Sequence, residues 1–217
     1  KKYQLTELGQ YAYESLINNK KNIGISPIFQ FNNKYLNRVF LSYSNIIQPS
    51  GKRNYIILLI ISVLILILGI ILDGLSGYNS FLLFFIRNLN EDLYLFGGFT
   101  FIINIFIFFL IVEGLCRLFY KKKANSRLLL ISFPLILSPM LVYLGFHYIF
   151  LSNELITNNV YYFIDKVLLI GFQVLSLWFL SFHLNILKNL KINSGLTLSL
   201  ILDLVGFTVI FFTSFQF

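Results

Sequence analysis

The sequence predicts an all-α polytopic membrane protein with five transmembrane helices, its N-terminus in the cytoplasm and its C-terminus outside. Three observations predict it. Hydrophobic residues make up 57% of the chain and charged ones 12%, with a mean hydropathy of +0.78, whereas a soluble domain carries roughly a quarter charged residues. Five stretches approach the roughly 20 apolar residues that cross a bilayer at about 1.5 Å each. Basic residues gather on alternate connections, the asymmetry that sets helix orientation in a membrane.

The first 53 residues are a different material from the rest. Tyr3 and Leu5 alternate with polar neighbours as in an edge strand, and Thr6 stands as the N-cap of a helix whose stripe is Leu8, Ala12 and Leu16. One strand and one helix cannot bury a core alone, so residues 1–19 are expected to pack on something upstream of Lys1. Residues 20–53 form a juxtamembrane linker. Within it Tyr35, Leu36, Val39, Phe40, Tyr43 and Ile47 share one helical face, which suits an amphipathic helix on the inner leaflet or a linker helix of the N-terminal module.

Residues 54–217 hold the five spans. The first, about 54–72, and the second, about 93–112, contain no charge. The third, about 128–150, carries Pro134 and Pro139, which are expected to kink it because each proline removes a backbone donor and crowds the preceding turn. The fourth runs over about 160–183 and the fifth over about 196–217. The stretch from Phe81 to Ile86 is too short to cross and reads as an interfacial or re-entrant piece between spans one and two.

Five spans leave the termini on opposite sides, so charge chooses between two orientations. With the N-terminus inside, 15 of the 17 basic residues are cytoplasmic and only Arg87 and Lys166 fall outside. A multi-pass protein of the cell membrane is the expectation.

The stretch YQLTELGQYAYESL resembles the last wing strand and closing helix of prokaryotic, archaeal-type winged helix-turn-helix regulators, through Tyr3, Leu5, Thr6 and Gly9 of a Tyr-x-Leu-Thr-x-x-Gly pattern. The resemblance covers about 19 residues and implies a DNA-reading helix upstream of Lys1, with DNA as a partner of that module. Five helices, Pro49-Ser50 before span one, Trp178 in span four and a short basic connection into span five resemble the Yip family of small membrane proteins. That resemblance implies a non-enzymatic role in membrane organisation or traffic. Together they imply a membrane-tethered transcriptional regulator with a five-helix anchor or sensor; the rival reading is a Yip-like membrane-organising, trafficking or transport-related protein without DNA binding. The lipid bilayer and a second copy of the chain complete the expected partners.

Ionisable groups within a membrane are costly and are functional candidates by default. Asp203 in span five and His183 in span four are expected to approach one another as an intramembrane polar pair. Glu113 and Arg117, four apart, have the spacing of a helix ion pair. Lys121, Lys122, Lys123 and Arg127 are placed to meet anionic lipid headgroups. Asp73, Glu91, Asp92 and Glu154 read as a solvated acidic face, with a weak cation site as the rival. One cysteine, Cys116, excludes an internal disulfide and a multi-cysteine metal site. His147 lies roughly 25 Å along the membrane normal from His183 at about 1.5 Å per residue, too far to share a metal. The sequence carries no Gly-x-Ser-x-Gly, His-Glu-x-x-His or phosphate-cradling glycine loop, so no enzyme activity, cofactor or metal is expected.

Overall fold

The computed structural model describes residues 43–44, 46–47, 52–87 and 94–214, and the chain divides into two units, residues 1–43 and 44–217. The wing pattern at Tyr3, Leu5, Thr6 and Gly9 lies outside the described residues. So does the juxtamembrane linker, apart from residues 43, 44, 46 and 47, which are helical, and the stub Lys52–Arg53.

The second unit is a helical bundle with five helices long and apolar enough to span a membrane. Helix α1 is Lys52–Ser76 and is followed by two short strands, β1 (Tyr78–Phe81) and β2 (Phe84–Arg87). Helix α2 is Tyr94–Tyr120; α3 (Ser126–Ile136) and α4 (Ser138–Ser152) together make the third stretch long and apolar enough to span a membrane, called the third crossing below; α5 is Asn159–Lys188 and α6 is Ile192–Ser214. Leucine, isoleucine and phenylalanine fill these helices on all sides, the pattern of helices surrounded by apolar material.

The third crossing is the hub. Of its apolar window 67% is buried, against 17% for α1, because α3 and α4 pack on α1 and α5 from both sides. Pro134 stays inside α3, whereas the break falls at Leu137, whose N–H bonds to the Pro134 carbonyl at 3.1 Å. Pro139 then sits in the first turn of α4, where its missing N–H leaves no helical acceptor unpaired. The two expected kinks are therefore one break, and the helix restarts on the proline.

The short apolar stretch after α1 is an antiparallel hairpin of Tyr78–Phe81 and Phe84–Arg87 turning on Leu82 and Leu83. It enters the bundle. Leu82 and Leu83 are 4% and 2% exposed, and their backbones bond to Asn104 of α2 and Gln173 of α5. Asn104 lies ten residues into α2, about 15 Å below its start at 1.5 Å per residue, so the turn reaches near mid-depth. Non-helical backbone survives there only when protein supplies its hydrogen bonds.

Helix α6 closes over the hairpin through Gly206. A Cβ at that position would stand 2.6 Å from the Phe84 ring and 3.3 Å from Leu82. Gly206→Leu is therefore expected to push α6 off the hairpin and destabilise the unit by about 1–3 kcal/mol. Thermal unfolding in lipid nanodiscs checks this, and an unchanged midpoint would show that α6 does not seat on the hairpin.

Candidate functional site

Two clusters of polar side chains lie near the two ends of the bundle. The first is built around the hairpin. Asp73 lies three residues before the end of α1, Thr100 six into α2, His147 five before the end of α4 and Asp165 six into α5. At about 1.5 Å per residue these offsets put all four within about 5–9 Å of the hairpin-side helix ends.

In this cluster His147 Nδ1 lies 2.8 Å from Asp165 Oδ1, and the Tyr143 hydroxyl donates to Asp165 Oδ2 at 3.2 Å. All three side chains are buried. Tyr78 of β1 places its ring 4.6 Å from the imidazole of His147, and Phe85 of β2 stacks on Tyr143 at 5.7 Å. The spacing of Tyr143 and His147, one helical turn apart, puts both on the face of α4 that meets α5. Lys166 reaches to 3.9 Å from Asp165 Oδ2 while staying 41% exposed and lying over the Tyr162 ring, so its charge remains largely hydrated.

Tyr78 and Ser80, two residues apart on β1, and Phe85, opposite Ser80, share one face of the hairpin, and there Asp73 accepts from Ser80 at 2.9 Å and from Thr100 of α2 at 3.4 Å, both through Oδ2. Asp73 is fully buried. This corrects the expectation of a solvated acidic face; the hairpin folds back over the last turn of α1 and covers it. Glu154 is exposed, and Glu91 and Asp92 lie outside the described residues.

The second cluster lies at the end of the basic loop. Glu113 pairs with Arg117 at 2.8 Å, as the spacing predicts, and also with Lys188 of α5 at 2.6 Å. Ser126, at the start of α3, donates to Glu113 at 2.6 Å and accepts from Lys188 at 3.1 Å. Asn125 extends the junction by donating to the Leu187 carbonyl at 3.1 Å. Lys121, Lys123 and Arg127 are exposed beside it and Lys122 is half-buried, so the lipid-facing candidates surround the buried ion pair.

The expected pair of His183 and Asp203 does not form. His183 is fully buried, with Nδ1 2.8 Å from the Phe179 carbonyl and the backbone of Ser132 as a further partner. Helix α6 begins at Ile192, a turn earlier than the hydropathy suggests. Asp203 is thereby about 16 Å from that end and His183 about 8 Å from the end of α5, at 1.5 Å per residue.

Between α1, α2 and α3 lies a cavity of about 300 Å³ whose walls include Leu59, Ile70, Ile105 and Pro134. Its lining suits hydrocarbon. Among the described residues no group of three or more His, Cys, Asp or Glu side chains converges as a metal site would require. No family model, no curated protein and no solved structure matches the chain.

Proposed function

We propose that this chain is a non-enzymatic membrane protein, the five-helix anchor and sensor of a winged-helix transcriptional regulator held on the cytoplasmic face of the cell membrane. The observation that carries the reading is the joining, in one chain, of the Tyr3, Leu5, Thr6 and Gly9 pattern to an apolar five-helix unit. The division of the chain after residue 43 supports a module followed by an anchor. Charge supports the orientation, since Lys121, Lys122, Lys123 and Lys191 lie on connections, and Arg127 and Lys188 on the adjoining helix ends, at one end of the bundle. Polar groups engaged in pairs between helices, as Glu113 is with Lys188 and His147 with Asp165, suit a structural and sensing role.

Deleting everything before Gln48 is expected to abolish promoter occupancy of the protein in its own cells while leaving membrane insertion intact. Crosslinking to chromosomal DNA and membrane fractionation read the two properties separately. Occupancy unchanged by the deletion would sink the regulator reading, and insertion without any occupancy in the intact protein would favour the Yip-like, membrane-organising one.

A further inference from the structure

Among the described residues Asp73 has no partner of opposite charge. Its Oδ2 accepts two hydroxyl hydrogen bonds and the Ser80 backbone N–H also approaches the carboxylate, but among the described residues buried Oδ1 has no well-formed hydrogen bond. No Lys, Arg or His forms an ion pair with it among the described residues. Its place in the fold makes the need for positive charge greater. Asp73 stands in the last turn of α1, where the helix dipole is negative and the final carbonyls lack helical donors; Ser76 Oγ answers only that of Asp73 itself, at 3.0 Å. A fully buried carboxylate in this setting is costly unless something neutralises it.

We propose that Asp73, with the hydroxyl oxygens of Ser80 and Thr100, is a binding site for one small monovalent cation, a proton or Na⁺. Carboxylate, hydroxyl and carbonyl oxygens are the hard donors that both prefer. The proton would sit on Oδ1; Na⁺ would lie between Oδ1 and the hydroxyl oxygens. Because Ser80 is on β1 and Thr100 on α2, an occupied site ties the hairpin to two crossings at once. The site is independent of the regulator reading.

The titratable groups on the elements packed against α1 can be told apart from Asp73. On β1 the neighbour is Tyr78, opposite Arg87 in the strand register. On α4 they are Tyr143 and His147, engaged with Asp165 of α5 and, behind it, Lys166, and half-buried Tyr148. On α2, Glu113, Cys116 and Arg117 begin thirteen residues beyond Thr100, about 20 Å away at 1.5 Å per residue; Arg127 on α3 is likewise at the far end.

The test is thermal unfolding of the full chain in zwitterionic nanodiscs, followed by Trp178 fluorescence, for the wild type and Asp73→Asn. In one arm NaCl replaces choline chloride at fixed alkaline pH and ionic strength; in the other the pH is lowered in choline chloride. For the wild type, a rise in Tm of roughly 3 °C or more is expected in the Na⁺ arm if Na⁺ is the ligand, and in the acid arm alone if it is the proton. Asp73→Asn, permanently neutral, is expected to match the occupied wild type and to lose that dependence. A wild type that responds in neither arm, a variant that keeps the wild-type dependence, or a variant less stable than the unoccupied wild type would each overturn the proposal.

Discussion

Replacing Lys188 by methionine is expected to destabilise the five-helix unit by about 3–5 kcal/mol, the cost of leaving one member of a buried ion pair without the other. Lys188 has no exposed surface, and its ammonium lies 2.6 Å from a Glu113 carboxylate that is itself 7% exposed. Methionine keeps the apolar stem and removes the charge. Glu113 would keep Ser126 and Arg117, but the Arg117 side chain is 51% exposed, so its charge is screened by its surroundings. Arg117→Ala is accordingly expected to cost no more than about 1 kcal/mol. The double variant Glu113→Gln with Lys188→Met removes both charges and is expected to recover much of the loss, since matched removal of a buried pair is often near neutral. Unfolding midpoints for the three variants in nanodiscs decide the matter. A Lys188→Met midpoint equal to that of the wild type would show that this pair does not hold the junction of α2, α3 and α5.

That contrast also shows what could be read from the sequence. Glu113 and Arg117 are four residues apart on one helix, so their contact follows from helical geometry alone. The stronger partner, Lys188, is 75 residues away from Glu113 in sequence, and only the packing of α5 beside α2 and α3 brings it near. The five long apolar helices were legible because apolar length is a local property. The His147–Asp165 contact had a partial signal, since Tyr143 and His147 share a helix face and Asp165 enters the next crossing at similar depth. The error at His183 and Asp203 came from the start of α6. INSG at residues 192–195 looks like a connection by composition, yet Gly195 backs onto Ser181 at a distance no side chain would allow, and the helix begins there.

The hairpin was the least legible element, and its turn explains why. A two-residue hairpin in water is built on Asn-Gly or Asp-Gly, because the turn needs positive φ. Here Leu82 adopts φ 51°, and FLLFFI carries no turn residue at all. The device that replaces turn chemistry is in another helix. The Asn104 carboxamide accepts from the Leu82 N–H at 2.5 Å and donates to the Leu82 carbonyl at 3.1 Å, satisfying both backbone groups of the strained residue from one side chain. Asn104→Leu, similar in volume, is therefore expected to leave two buried polar groups unpaired and cost about 2–6 kcal/mol, at about 1–3 kcal/mol for each. The hairpin would loosen before the helices do, because Gln173 alone would still hold the turn, at the Leu83 carbonyl 2.9 Å away. Single cysteines at Leu83, introduced with Cys116 replaced by alanine, make this measurable. Leu83→Cys is expected to resist a membrane-impermeant maleimide when Asn104 is present and to react when Asn104 is leucine. Equal protection in both would mean that helix packing, including Gly206 against Phe84, holds the turn at mid-depth without the carboxamide.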